Sequence, residues 1–272
     1  MTADLYSKRA GDGAAVILLH GLFGSANNLG ALARALQQQY AVYSLDLPNH
    51  GRSAWLPQPS LSAMADKVQQ WMDDEGLVQA HFVGHSLGGK VAMELALRAP
   101  QRVSSLIVAD IAPVAYAAHH ESIFTALEAV AASPCSSREE AAARMAVHVS
   151  EDSVIQFLLS SLQRDKQGGY DWRFDVAGLK DALASLLVAP RADQAYEGDV
   201  LFIKGGASDY IREAHWPVIQ TFFPKATLKI MPDCSHWLHA QKPQLFNGIV
   251  LRFLESAEQR KLGVPDSFED ER

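Results

Sequence analysis

Gly84-His85-Ser86-Leu87-Gly88 matches the pattern G-x-S-x-G, a serine set between two glycines. The apolar run His81–Gly84 precedes it, and a helical pattern, Leu87–Arg98, follows. A serine on a sharp strand-to-helix turn presents its hydroxyl to a bound carbonyl, and the turn crowds the residues two before and two after it. Both must then be small, as Gly84 and Gly88 are. Gly89, Ala92 and Ala96 let the helix lie close to a sheet, and Pro100 ends it. Ser86 is therefore the candidate nucleophile.

A serine nucleophile needs a base, an acid and a hole for the oxyanion. Of ten histidines, His236 has the right place: Pro232-Asp233-Cys234-Ser235-His236-Trp237 lies between the last strand pattern and the last helix. In the chain order serine, acid, histidine, the base arrives on that loop, and it must be neutral to accept a proton. Two residues compete for the acid. Asp110 ends the apolar run Leu106–Asp110, while Asp209 follows the run Val200–Lys204. Counting along Gly205-Gly206-Ala207-Ser208-Asp209-Tyr210, the usual acid position falls on Ser208, one residue short of Asp209. Successive loop residues point in different directions, so the offset favours Asp110, with Asp209 as the alternative. His20-Gly21-Leu22-Phe23-Gly24 follows the first strong apolar run. The backbone N–H of Leu22, with that of Leu87 at the start of the helix, is the expected oxyanion hole. Leu22, Phe23, Tyr210 and Trp237 are expected to line the substrate pocket.

The remaining histidines have plainer readings. His20, His50 and His85 are expected to pin loops through hydrogen bonds, and His239 to be structural or pocket-lining. His119-His120-Glu121 has metal-binding residue types, but adjacent side chains on a helix diverge and no third ligand is spaced to join them. That trio is expected on a solvated surface, with no metal. Two cysteines, Cys135 and Cys234, make no disulfide framework and suggest a reducing, cytoplasmic setting.

These residues must be positioned by strands and helices in alternation. Strand patterns fall at Ala15–Leu19, Ala41–Asp46, His81–Gly84, Leu106–Asp110, Val200–Lys204 and Thr227–Met231, with an antiparallel edge strand in Leu5–Ala10. Runs such as Val16-Ile17-Leu18-Leu19 are apolar throughout, as parallel strands covered on both faces are. Helical patterns at Asn28–Gln38, Leu61–Glu75, Leu87–Arg98 and Gln244–Glu258 complete an α/β fold with a mostly parallel sheet and helices on both faces. Pro113–Gly198 carries no convincing strand, only helical patterns at Glu121–Ala132, Arg138–Val149, Asp152–Arg164 and Val176–Leu187. The expected organisation is a core of residues 1–112 and 199–258, a helical cap insertion at 113–198, and a loose polar acidic tail at 259–272.

With 272 residues, 48% hydrophobic and 20% charged, the chain has ordinary globular composition. The net charge of −7 argues against a nucleic-acid partner, which needs a basic face. Part of that charge is local: residues 255–272 hold six acids against Arg260, Lys261 and Arg272. No apolar run reaches the ~20 residues of a membrane span, and Met1–Gly13 lacks the apolar stretch of a signal peptide.

With its parts assembled, the sequence resembles the α/β-hydrolase superfamily and, within it, the YbfF-type bacterial acyl-CoA esterase group. The resemblance runs to about residue 258. It rests on His20-Gly21-Leu22-Phe23-Gly24-Ser25, Asn49-His50-Gly51-Arg52-Ser53, Gly84-His85-Ser86-Leu87-Gly88-Gly89-Lys90, Asp110-Ile111-Ala112-Pro113, Trp172-Arg173-Phe174, Gly205-Gly206 and Ser235-His236-Trp237-Leu238-His239. Pro48 and Asp209 depart from the group's pattern. The resemblance implies an acid after the sixth strand, hence Asp110, and a cap inserted at that point. The expected activity is hydrolysis of small-molecule carboxylic esters or acyl thioesters through an acyl-enzyme, with a Ser-His-Asp triad and no cofactor. Two other readings use the same parts: a C–C bond hydrolase or lyase of the menaquinone or aromatic-catabolism type, and a ligand-binding module that has lost catalysis.

Overall fold

In the computed structural model, residues 5–133, 135–164 and 168–261 are described. The chain runs β1 (Ser7–Ala10), β2 (Ala14–Leu19), α1 (Gly30–Leu36), β3 (Tyr40–Leu45), α2 (Leu61–Asp74), β4 (Ala80–His85), α3 (Leu87–Arg98) and β5 (Val103–Ala109). It continues through α4 (Glu121–Ala131), α5 (Arg138–Ala146), α6 (Asp152–Leu159), β6 (Leu162–Arg164), β7 (Tyr170–Trp172), α7 (Val176–Asp181) and α8 (Leu183–Leu186). The last part is β8 (Asp199–Gly205), α9 (Trp216–Phe222), β9 (Ala226–Met231), α10 (Leu238–Gln241) and α11 (Pro243–Lys261).

Seven strands form one sheet in the order β1-β3-β2-β4-β5-β8-β9. Only β1 is antiparallel, paired through Ser7 with Leu45. The continuous apolar runs are explained by burial on both faces. Val16 and Leu18 of β2 pack on one side with Leu32 and Leu36 of α1 and with Phe246, Val250 and Leu254 of α11. Ile17 and Leu19 face the other side, with Met64 and Val68 of α2 and Val91 of α3. Every residue of α3 from Leu87 to Leu97 is buried, so this helix lies inside the molecule. Local chemistry sets several helix starts: the Ser60 side chain accepts from Ala63 N–H before α2, and Ser137 and Asp175 cap α5 and α7 in the same way.

Between β5 and β8 the chain leaves the sheet and returns over the carboxyl ends of its strands. Ser161 Oγ donates to the Phe23 carbonyl at 2.8 Å, Asp175 N–H to the Asn49 carbonyl at 3.0 Å, and Phe23 packs on Phe124 and Phe174 with ring centroids 5.3 Å apart. Residues of the loops after β2 and β3 thus hold the insertion in place.

Some boundaries differ from the sequence expectations. The insertion follows β5, the fifth strand of the chain; the ordinal "sixth" came with the family resemblance, and here a single strand precedes Ala14–Leu19. It is not wholly helical. The pattern at Asp152–Arg164 stops being helix at Leu159, and Leu162–Arg164 pairs antiparallel with Tyr170–Trp172. Val176–Leu187 is two short helices broken at Ala182. Helix α9, with a proline in its first turn, has no counterpart among the expected elements. The final helix runs to Lys261, three residues into the expected tail; residues 262–272 of that tail lie outside the described residues. Among the described residues no helix is long and apolar enough to cross a membrane.

Candidate active site

The loops that leave the carboxyl ends of β2, β4, β5, β8 and β9 converge, as ligand-binding loops do in open parallel sheets. Ser86 stands between β4 and α3 with φ 52° and ψ −116°, a backbone geometry that costs a non-glycine residue of order 1–3 kcal/mol. Close packing enforces it. A Cβ on Gly84 would stand 2.4 Å from the Gly88 carbonyl oxygen, and one on Gly88 2.3 Å from that of Leu19. Ser86 N–H donates to the Ala109 carbonyl at 3.0 Å, which ties the turn to β5. Although Ser86 occupies the cap position of α3, its side chain caps nothing, so the hydroxyl is free for other work.

Asp110 ends β5 in the left-handed region, φ 53°, and is fully buried. Three donors converge on its carboxylate: Gly205 N–H at 2.9 Å, the hydroxyl of Ser208, and His236 Nδ1 at 2.8 Å. With Nδ1–H given to Asp110, the neutral imidazole of His236 keeps its lone pair on Nε2. The ring is held flat by Tyr210, which stacks on it at 4.0 Å and 24°. The main chain of His236 is fixed as well, because His85 Nε2–H donates to its carbonyl at 2.8 Å.

Asp209, the alternative acid, is exposed, and its neighbour Ser208 turns inward to Asp110. Counting along the loop had landed on Ser208. In this structure that position holds a hydroxyl which supports the carboxylate of another strand.

Ser86 and His236 line one cavity of about 240 Å³. Leu22, Phe23, Tyr210 and Trp237, the expected pocket residues, all line it too. Ile123, Val154, Phe157 and Leu158 of the insertion add an apolar wall, and the Phe157 ring packs tilted against Trp237 with centroids 4.0 Å apart. Leu87 is buried at the first turn of α3, where backbone N–H groups have no partner within the helix. Phe23 N–H is taken by His50 Nε2 at 3.2 Å, whereas Leu22 N–H donates to no group among the described residues.

The loop-pinning histidines do what their positions suggested. His20 Nε2 accepts from Leu47 N–H at 3.0 Å, and its Nδ1–H donates to the Gly21 carbonyl at 2.8 Å. His50 Nδ1–H donates to the Pro48 carbonyl at 2.8 Å. Burial holds both rings neutral, lowering His20 to about 4 and His50 to about 3. His239 is buried against His85, with ring centroids 4.4 Å apart, and is likewise lowered to about 4 by burial. One expectation is overturned. His119 is exposed, but His120 lines the cavity, because the turn into α4 points successive side chains apart. Among the described residues no group of three or more His, Cys, Asp or Glu side chains converges as a metal site would.

Sequence reasoning also missed a clamp built on Tyr116. Its hydroxyl accepts from Ala112 N–H at 2.8 Å and donates to the Tyr210 carbonyl at 2.5 Å, so it joins the loop of Asp110 to the loop whose tyrosine stacks on His236. Lys90 of α3 sits over the Tyr116 ring at 5.1 Å and donates to the Val114 carbonyl at 2.7 Å. Burial brings this lysine down to about 7. The run Gly88-Gly89-Lys90 was visible in the sequence, but nothing there showed a lysine pointing inward.

A model of the α/β-hydrolase fold matches residues 14–243. Esterase YbfF of Escherichia coli (strain K12) is 38% identical over 240 residues, 88% of this chain and 92% of that protein. The sn-1-specific diacylglycerol lipase ABHD11 of Danio rerio is 35% identical over 263 residues, 94% of this chain and 82% of that protein. The solved structure of a marine microorganism esterase superposes with a TM-score of 0.88 at 32% identity, covering 92% of this chain and 99% of that one.

Two outcomes follow from this geometry. Unfolded, His20 and His50 take up protons below about 6.5, whereas folded they stay neutral to about 4 and about 3. Between those values the unfolded chain binds more protons, so stability present above pH 6.5 is lost as pH falls, by about 1.4 kcal/mol per unit for each ring. The urea midpoint is expected to drop from pH 7 to pH 5, and a constant midpoint would show that the rings are not buried neutral. Tyr116→Phe should lower kcat about tenfold with KM little changed, because it loosens the loop whose Tyr210 stacks on His236, while Tyr116 itself does not line the cavity. A rise in KM at constant kcat would make Tyr116 a binding residue instead.

With the family model spanning most of its length and relatives above 30% identity, the chain belongs to the α/β-hydrolase family and is of the YbfF type.

Proposed function

We propose that this protein hydrolyses carboxylic esters, and acyl thioesters of the coenzyme A kind, through an acyl-enzyme on Ser86. The observation that carries the reading is the 2.8 Å hydrogen bond from His236 Nδ1 to the buried Asp110 carboxylate, beside a serine whose hydroxyl caps nothing. Relatives whose names are esterase and diacylglycerol lipase support the same chemistry.

In this mechanism Ser86 Oγ attacks the carbonyl carbon while His236 Nε2 takes its proton. Asp110 keeps the imidazole in the Nδ1–H tautomer and stabilises the imidazolium that forms. The N–H groups of Leu22 and Leu87 receive the oxyanion, in a setting where apolar walls strengthen such bonds. Collapse of the tetrahedral intermediate expels the alcohol or thiol, protonated by His236. Water, activated by the same histidine, then attacks the acyl carbon and frees Ser86. The acyl group lies against Phe23, Phe157 and Trp237, and residues 113–198 act as a cap that keeps bulk water away from it. The core is residues 1–112 and 199–258. Cys135 and Cys234 are buried free thiols, which fits action in the reducing cytoplasm.

Turnover of p-nitrophenyl butanoate by three variants tests this assignment. Ser86→Ala is expected to abolish activity while the fold, followed by circular dichroism, persists. Asp110→Asn should cost about 10⁴ in kcat, the scale known for triad acids, whereas Asp209→Asn should cost little. Full activity in Ser86→Ala would refute the nucleophile, and the reverse order of the two Asp variants would move the acid to Asp209.

A further inference from the structure

Two side chains of α3 that ordinarily seek water are sealed inside the molecule. Lys90 and Glu94 stand one helical turn apart, each with 1% of its surface exposed. Charged groups of this kind are buried only where partners replace water. The partners here are backbone groups at the two ends of the insertion. Lys90 Nζ donates to the Val114 carbonyl at 2.7 Å, where the chain has just left β5. Glu94 accepts from Arg191 N–H at 2.6 Å, where the chain is returning to β8. The Ser62 hydroxyl donates to the same carboxylate, and Arg98 lies 3.6 Å from it. The two ends are also bonded to each other, Tyr116 N–H donating to the Leu187 carbonyl at 2.9 Å. A hydrogen bond with one charged partner is about twice as strong as a neutral one, so the grip is firm.

We propose that Lys90 and Glu94 are positioning residues: they clasp both ends of the insertion to the helix that starts at Ser86, and so set where the wall for the acyl group stands. This role rests on the protein being an esterase. Ile123, Val154, Phe157 and Leu158, which form that wall, all lie in the chain between the two clasped points. The bonds of Ser161 and Asp175 fasten the middle of the insertion to other loops, and α3 fastens its ends. When either end is released, the wall shifts relative to Ser86. Asp110 and His236 stand outside the insertion and keep their bond to each other. An acyl chain lying on the wall feels the shift more the longer it is. Loss of stability alone lowers the active fraction for every ester equally, so a dependence on chain length marks the clasp.

p-Nitrophenyl hexanoate and p-nitrophenyl acetate share a leaving group and differ in the reach of the acyl chain. The ratio of their kcat/KM values, hexanoate to acetate, therefore reads the wall. It is expected to fall about fourfold in Glu94→Leu, the worth of one methylene taken out of apolar contact. Glu94→Gln should restore it, because the amide offers an acceptor to Arg191 N–H and polar atoms to Ser62 Oγ. Lys90→Met releases the other end and should lower the same ratio, and it decides the matter if Glu94→Leu does not fold. A ratio unchanged in the folded variants overturns the clasp while leaving the esterase intact. Failure of wild type to cleave either ester, with the protein folded, overturns the esterase reading and this role with it.

Discussion

A carboxylate with no exposure to water holds this site together. Asp110 stands at the carboxyl end of β5, and three groups from other strands converge on it: a backbone N–H at the end of β8, the Ser208 hydroxyl on the following loop, and the His236 ring after β9. An ionised carboxylate taken out of water is tolerated only when its lone pairs are satisfied, and losing one donor leaves a charge that is costly to keep buried. The folded loops and the buried charge therefore enforce each other. The loop after β8 cannot swing away without unsatisfying Asp110, and His236 cannot rotate without doing the same. Tyr116 adds a second fastening between the loops of Asp110 and Tyr210, and Lys90 braces it from the helix that Ser86 begins.

The turn at Ser86 depends on a different constraint, which is steric. Ser86 and Phe23 both have positive φ, a conformation that a side-chain-bearing residue adopts only under compulsion. For Ser86 the compulsion is the meeting of Gly84, Gly88 and Leu19. For Phe23 it is the pair of bonds to His50 and Ser161 and the packing of its ring between Phe124 and Phe174. Because two of those partners, Ser161 and Phe174, come from the insertion, the loop of Leu22 and Phe23 and the insertion above it are set together. The strain is thus distributed through the fold rather than stored at one residue.

Much of this was legible in the residues. The sheet could be read because doubly buried strands are apolar at every position, and the turn at Ser86 because only small residues fit two places to either side. His236 was singled out by chain order, and its ring lies against Asp110. The insertion was harder. Its two three-residue strands are too short to show a period, and Asp152–Arg164 keeps an apolar spacing after the helix has ended. His120 and Tyr116 had no local signal at all. A histidine beside a second histidine and an acid reads as surface, and a tyrosine between alanines reads as filler. Tyr116 acts through a contact far along the chain, with Tyr210, and His120 reaches the cavity only once the chain is folded. Asp209 competed for the opposite reason, since an acidic residue stands one place from Ser208, whose hydroxyl turns to Asp110.

The central claim is that His236 gives its Nδ1 proton to Asp110 and to no other acid. Proton NMR of the imidazole N–H observes that bond directly. A far-downfield resonance is expected in the wild-type protein and in Asp209→Asn, and it should disappear in Asp110→Asn. Its persistence in Asp110→Asn, or its loss in Asp209→Asn, would contradict the account.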